Sequence, residues 1–158
     1  MEEVIGTVPL TVRRRVRWAD CDPAGVVHTG KFPDYVLSAA HLFRTHLLGP
    51  AWHDANREAG FAAPAKALSL VFQSSLWPRD EVDLAVFVGG IRIRTIDLLM
   101  QASRADDARP VFMARLTSIC VTAADRRVAR PWPEPYRDAH AAYREQHAAP
   151  QALNELGP

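Results

Sequence analysis

The stretch RWADCDPAGVVHTGKF, residues 17–32, places two carboxylates beside a proline–glycine turn and just before an apolar run. Asp22 opens this turn, and Pro23 and Gly25 bend the chain toward the apolar run. A carboxylate so placed is able to serve as a general base or as a nucleophile. Because the unperturbed pKa of aspartate is about 3.9, the group is ionised at neutral pH. Asp22 is therefore the predicted catalytic carboxylate, and Asp20 is predicted to be structural, bonding turn amides or orienting Asp22.

The apolar run predicts the helix that these acids precede. Within residues 31–48, apolar side chains recur every three or four positions, which is typical of a helix of about five turns. Thr29 or Gly30 is the expected cap. Unpaired N–H groups and the dipole at a helix N-terminus stabilise an oxyanion. The backbone amides from Val27 to Gly30 are thus predicted donors, and Thr29 and Gly30 join Asp22 as candidate catalytic residues.

The remaining segments predict the sheet that would hold this helix. Val12, Val16 and Trp18 alternate with arginines and indicate a strand over residues 11–18. Further β-rich runs are separated by turn signals and occupy residues 65–75, 82–88, 91–102 and 111–123. Short connections favour antiparallel pairing, so the fold class expected is α+β, with one antiparallel sheet curled around one long helix.

The C-terminal part is expected to extend the same domain. A single domain is predicted over residues 1–158, with its core at about 10–125 and a helical tail at about 134–158. An alanine-rich stretch predicts a helix over Tyr136–His147, followed by ten frayed residues.

The composition limits the kinds of molecule that the chain is expected to bind. Nineteen basic and eighteen acidic residues give a formal charge of +1, which provides no general attraction to nucleic acid or to an anionic membrane. Two cysteines without a CxxC pair argue against a disulfide framework or structural zinc and fit a reducing compartment. No window approaches the roughly 18 apolar residues of a membrane span. We expect a cytoplasmic protein that binds a small molecule and holds no metal.

The segment WADCDPAGVVHTGKF, between a strand and a long apolar helix, resembles the signature of the hotdog-fold acyl-CoA thioesterases, specifically the 4-hydroxybenzoyl-CoA thioesterase family. The stretch WPRDEV also looks like a turn between strands of the hotdog sheet. The resemblance implies hydrolysis of an acyl-CoA to the free acid and CoA, with Asp22 as nucleophile or general base. It implies no cofactor, since coenzyme A is part of the substrate, and a homodimer or homotetramer whose sites lie at subunit boundaries. An aromatic or medium-sized acyl group is expected.

Substrate-binding residues follow from the same resemblance. His28 is a candidate partner for the acyl group, and Phe32 is a candidate for the wall of the acyl pocket. Arg92 and Arg94 alternate with isoleucines, which predicts two guanidinium groups on one strand face that would bind the phosphates of CoA. Many relatives carry an acid at the position of Leu37, so this second carboxylate is absent here unless Asp34 replaces it, and the resemblance does not identify the substrate.

Two alternative functions remain at this point. The first is a hotdog protein that binds acyl-CoA without hydrolysing it. The second interprets Asp20-Cys21-Asp22 as the Asp-x-Asp start of a haloacid-dehalogenase-like phosphatase. That enzyme needs a buried hydrophobic strand before the motif and a Rossmann-like series of helices after it. The basic strand and the β-rich remainder disfavour it.

Overall fold

The computed structural model of the chain describes residues 1–157. Its strands are β1 (Glu2–Thr7), β2 (Leu10–Arg15), β3 (Phe61–Ala62), β4 (Ala65–Phe72), β5 (Glu81–Ile91), β6 (Thr95–Arg104), β7 (Pro110–Ile119) and β8 (Val121–Thr122). Its α-helices are α1 (Phe32–Leu48), α2 (Trp52–Glu58), α3 (Glu134–Gln146) and α4 (Gln151–Asn154). Two 3-10 turns, Trp18–Asp20 and Thr29–Lys31, precede α1.

Six strands form one antiparallel sheet in the order β1-β2-β5-β6-β7-β4, while β3 and β8 pair separately. Two consecutive hairpins join β5 to β6 and β6 to β7, so these three strands are neighbours in the sheet. The chain leaves β2 through α1 and returns as β4 at the other edge. The predicted α+β class and the antiparallel sheet around a long helix are confirmed.

Several strand boundaries differ from those predicted. The first predicted strand ends at Arg15, and Trp18 is 68% exposed in a 3-10 turn rather than buried on a strand face. The strand expected from residue 91 begins at Thr95, because residues 92–94 form the turn between β5 and β6. The edge strand β1 was not anticipated, since most of its side chains are exposed and give no clear alternation.

Helix α1 lies against one face of the sheet and supplies much of the core. Its buried side chains include Phe32, Val36, Ala39 and Phe43, which pack in one cluster with side chains of β5, β6 and β7. The predicted helix is confirmed, although its N-cap is Lys31 rather than Thr29 or Gly30, and His28 caps the 3-10 turn that precedes it. The Nδ1 atom of His28 accepts the N–H of Gly30 at 3.0 Å.

The C-terminal helices cover both faces of the sheet. Helix α3 contacts α1 and β5, and the hydroxyl of Tyr143 accepts the N–H of Leu10 and donates to the carbonyl of Val86. Helix α4 buries Leu153 against Phe87 and Leu99 on the opposite face. The expectation of ten frayed residues is wrong for this segment, because Leu153 is fully buried.

Candidate active site

Asp20 anchors the loop that leads into α1. Its carboxylate is 1% exposed and accepts the hydroxyl of Tyr35 at 3.0 Å, the backbone N–H of Arg17 at 3.3 Å and the Arg17 guanidinium at 3.2 Å. Burial opposes ionisation, but the hydrogen bonds from Arg17 and Tyr35 outweigh it and lower the pKa of Asp20. Asp20 is therefore a buried anion that ties the loop to the first turn of α1.

Asp22 lies on the turn predicted from the sequence. Its N–H donates to the carbonyl of Val26 at 2.9 Å, and its own carbonyl accepts the N–H of Gly25 at 2.9 Å. Gly25 has a φ of 84°, a left-handed conformation that glycine adopts without strain. The Oδ1 atom of Asp22 accepts the N–H of Ala24 at 2.8 Å. The turn thus fixes one carboxylate oxygen, while Oδ2 has no hydrogen-bond partner among residues 1–157.

Three of the four amides predicted as oxyanion donors are already engaged, two of them by backbone carbonyls. The N–H of Val27 donates to the carbonyl of Leu76 at 2.9 Å, and the N–H of His28 donates to the carbonyl of Asp20 at 2.9 Å. These contacts attach the end of the loop to the sheet and to the anchored acid. The prediction is therefore wrong for Val27 and His28, because contacts distant in sequence occupy their N–H groups.

The other two amides lie at the 3-10 turn that leads into α1. Gly30 donates its N–H to Nδ1 of His28, whereas the N–H of Thr29 has no acceptor within residues 1–157. Both residues are exposed. With its Nδ1 accepting, a neutral His28 carries its proton on Nε2, so the ring presents a donor to solvent. Thr29 is thus the amide most available to an incoming oxygen.

An aromatic cluster stands beside this helix start. The ring of Phe32 contacts those of Phe72 and Phe112 at centroid distances of 5.1 and 5.3 Å, and that of Tyr35 at 5.9 Å. Phe32 is only 4% exposed, whereas Phe72 is 48% exposed. Phe32 is therefore a core residue within one chain, and the exposed ring of Phe72 provides the apolar surface at this end of the sheet.

Arg92 and Arg94 lie in the turn between β5 and β6, not on a strand face as predicted. The loop of Asp22 follows β2 at the end of the sheet where β5 begins, since Val16 donates its N–H to the carbonyl of Asp80. β5 has 11 residues and thus spans roughly 33 Å. Within one chain the two arginines are consequently at the opposite end of the sheet from Asp22.

Arg92 belongs to an ion-pair cluster. Its guanidinium donates to Asp97 at 3.0 Å, and Asp97 also accepts Arg115 at 2.9 Å and the Thr117 hydroxyl at 2.7 Å. Burial opposes ionisation of Asp97, but these donors lower its pKa, and the same hydrogen bond raises the pKa of Arg92. The Arg92 side chain is still 51% exposed, so part of its guanidinium faces solvent.

A family model described as the thioesterase-like superfamily matches residues 16–140, which include the loop, α1 and all of the strands from β3 to β8. The chain belongs to the thioesterase-like superfamily. This membership places it among thioester hydrolases and confirms the predicted resemblance. No curated protein sequence matches the chain significantly.

Solved structures agree with this membership. A thioesterase superfamily protein from Jannaschia sp. CCS1 is 24% identical with a TM-score of 0.75, over 84% of this chain and 90% of that protein. The 1,4-dihydroxy-2-naphthoyl-CoA thioesterase from Synechocystis is 21% identical with a TM-score of 0.74, over 83% and 94%. A mutant 4-hydroxybenzoyl CoA thioesterase complexed with 4-hydroxybenzoyl CoA is 19% identical with a TM-score of 0.75, over 82% and 96%. The hotdog fold is confirmed, and the phosphatase alternative is wrong because the sheet is antiparallel.

The surface formed by residues 1–157 has four cavities of about 240 to 640 Å³, and neither Asp22 nor Thr29 lines any of these four. The 640 Å³ cavity lies between α1, α2 and β3 and includes Leu37, His41 and Arg44 of α1. Sequence reasoning missed Arg44, because its apolar surroundings come from distant segments. Among residues 1–157, no helix is long and apolar enough to span a membrane, and no cluster of side chains suited to a metal ion occurs.

Proposed function

We propose that this chain hydrolyses acyl-CoA thioesters, with Asp22 as general base or nucleophile and the N–H of Thr29 as the principal oxyanion donor. The observation that carries the proposal is that Oδ2 of Asp22 and the N–H of Thr29 both lack protein partners within the described chain. They belong to one loop, which Asp20 anchors to Tyr35 of α1. Superfamily membership supports the same reaction.

In the general-base route, Asp22 takes a proton from water as the water oxygen bonds to the thioester carbonyl carbon. The C=O π electrons move to the oxygen, which the N–H of Thr29 and the dipole of α1 stabilise. The C=O bond then re-forms as the C–S bond breaks, CoA leaves as a thiolate that takes the proton held by Asp22, and the acid is released. In the nucleophilic route, Asp22 bonds to the carbonyl carbon, CoA leaves, and water hydrolyses the resulting anhydride. Gly30 and His28 position the N–H of Thr29, since the hydrogen bond from the Gly30 N–H to Nδ1 of His28 stabilises the 3-10 turn.

An aromatic or medium-sized acyl group is the substrate we propose. The exposed ring of Phe72 contacts the Phe32 ring at the start of α1 and presents a flat apolar surface there. The thioesterase from Synechocystis and the 4-hydroxybenzoyl CoA thioesterase, both structural neighbours, are named for aromatic acyl-CoA thioesters.

A two-fold dimer is part of the proposal. Strand β4 is an edge of the sheet, and Val71 and Phe72 near its end are 42% and 48% exposed. Antiparallel pairing of two β4 edges covers this apolar surface and brings the far end of one sheet toward the Asp22 loop of the other. In that arrangement, Arg92 and Arg94 reach the CoA phosphates of the partner's site.

The experiment compares Thr29→Pro with Thr29→Ala in a thiol-release assay with aryl, short and medium acyl-CoA thioesters. Proline removes the backbone donor, and Thr29→Ala controls for the loss of the threonine side chain. Proline suits this position because His28 has the extended conformation that precedes proline (φ −62°, ψ 134°). We expect kcat to fall by about 10²- to 10³-fold in Thr29→Pro and to change little in Thr29→Ala. Equal activity of both variants would remove the oxyanion role. Absence of turnover of every thioester by the folded wild type would favour the non-catalytic binding protein.

A further inference from the structure

The 640 Å³ cavity is distinct from the loop that carries Asp22. It lies between the second half of α1, α2 and β3, and its charged and aromatic lining comprises His41, Arg44, Trp52, His53, Arg57 and Arg126. The only carboxylate among its lining residues is that of Asp54, which pairs with Arg57 at 2.8 Å. Arg44 and Arg126 have no carboxylate within 4 Å among residues 1–157. The cavity therefore carries uncompensated positive charge.

Arg44 is the unusual member of this group. It is 8% exposed, and its Nη2 donates to the Ser118 hydroxyl at 2.6 Å, while its buried Nε has no acceptor within the described chain. By contrast, the side chains of Arg14, Arg104 and Arg115 are 13 to 17% exposed, and each pairs with a carboxylate. A guanidinium is always charged, and burial of a charge without a counter-ion is strongly unfavourable. Arg44 thus lacks an anion that the rest of the chain does not supply.

Stacked rings form one wall of the same cavity. The His53 ring stacks on Trp52 at 3.6 Å and on His41 at 5.4 Å, with interplanar angles of 24° and 28°. The guanidinium of Arg44 lies 5.7 Å from the Trp52 ring. Burial lowers the pKa of His53, and the positive fields of His41 and Arg44 lower it further. A flat aromatic surface and a positive field therefore occur in one cavity.

We propose that this cavity binds the carboxylate of an aromatic organic acid, with the carboxylate on Arg44 and the ring against the His41–His53 wall. A carboxylate matches the planar guanidinium donors, and it is small enough to reach a residue that is almost fully buried. Arg126 adds attraction from the exposed rim. A phosphate is the competing anion, and its weaker binding is one outcome of the test. The proposal does not require that the chain hydrolyse thioesters.

A free aromatic acid supplies such a carboxylate. Benzoate is the probe for it, with benzamide as its neutral isostere and inorganic phosphate as the competing anion. Trp52 lies in the cavity wall, so its fluorescence and calorimetry both report binding without turnover.

The variants are Arg44→Met, Arg44→Lys and Arg126→Gln, with Arg79→Gln, an exposed arginine outside this cavity, as the matched control. We expect wild type to bind benzoate but not benzamide, and to bind phosphate more weakly than benzoate. Benzoate binding should weaken roughly ten-fold or more in Arg44→Met and by a few-fold in Arg126→Gln, while the control matches wild type. Arg44→Lys keeps the charge and guards against misfolding, and it should bind with intermediate affinity because the bidentate geometry is lost.

Equal binding of benzoate and benzamide, tighter binding of phosphate than of benzoate, or unchanged benzoate binding in folded Arg44→Met or Arg44→Lys would overturn the proposal. Because binding is measured without catalysis, failure of thioester hydrolysis leaves this result unaffected.

Discussion

Replacing Tyr35 by phenylalanine removes one hydrogen bond from the buried anion that anchors the active-site loop. The Tyr35 hydroxyl donates to Asp20 at 3.0 Å, and both residues are 1% exposed. A hydrogen bond to a charged group contributes about 1.5 to 3 kcal/mol. The remaining donors, both from Arg17, are longer at 3.2 and 3.3 Å, so they compensate little. Since phenylalanine fills the same space, we expect a loss of about 2 kcal/mol in the free energy of unfolding at pH 7.

This loss should depend on pH with a defined sign. Hydrogen bonds from Arg17 and Tyr35 lower the folded-state pKa of Asp20 against the opposing effect of burial. Their stabilisation is therefore fully present above the unfolded pKa of about 3.9 and disappears as the pH falls through the lower folded value. The difference between wild type and Tyr35→Phe should shrink as the pH falls below about 4.

The assay is urea unfolding at fixed protein concentration, with Tyr136→Phe as the matched control. The Tyr136 hydroxyl is buried near the Arg44 guanidinium but forms no hydrogen bond of good geometry within residues 1–157. Its removal should change stability by less than removal of the Tyr35 hydroxyl, because no hydrogen bond to a buried carboxylate is lost. If Tyr35→Phe were no less stable than Tyr136→Phe at pH 7, the anchoring role of Asp20 would be refuted.

Two further predictions concern stability. Burial lowers the pKa of His140 to about 4, so the unfolded state binds more protons as the pH falls below about 6.5. At pH 4.5 this difference lowers the free energy of unfolding by about 2.5 kcal/mol. His140→Gln should abolish that part of the pH dependence. A wild type and a variant whose stabilities in urea fall equally with pH would contradict the prediction. A Cβ at Gly90 would lie 2.9 Å from Nη2 of Arg92 and 3.0 Å from Oδ2 of Asp97. Gly90→Ala should therefore lower the thermal midpoint through about 1 to 3 kcal/mol of overpacking, unlike Gly6→Ala, whose nearest neighbours are at 3.9 Å; equal midpoints would show that the cluster relaxes freely.

Elements with a strong local signal were predictable from the sequence. Helix α1 and strands β4 to β7 follow from the spacing of apolar residues and from turn residues between them. The turn at residues 92–94 was misjudged because RIR alternates as a strand does, while the hairpin is set by pairing between β5 and β6. Helix α4 was missed because only one side chain, Leu153, holds it to the sheet.

The candidate site also has features that the local sequence encodes and features that depend on the tertiary fold. Asp22 and its turn are encoded locally by DPAG, so the sequence sufficed for them. Which amide remains available depends on Leu76 and Asp20, whose carbonyls engage Val27 and His28. Such contacts are determined by the tertiary fold and leave no mark on the local sequence. The burial of Arg44 was not predictable for the same reason, since residues of β7 and α2 surround its guanidinium.

The most direct test of the catalytic proposal is the single-turnover rate of CoA thiol release by Asp22→Asn, measured with the best thioester of the panel. The amide oxygen of asparagine keeps the acceptor for the N–H of Ala24, so the turn and substrate affinity should be preserved. Loss of the ionised carboxylate should lower the rate by about 10³-fold or more. A folded Asp22→Asn protein that binds the thioester and releases thiol within about ten-fold of the wild-type rate would contradict the assignment of Asp22.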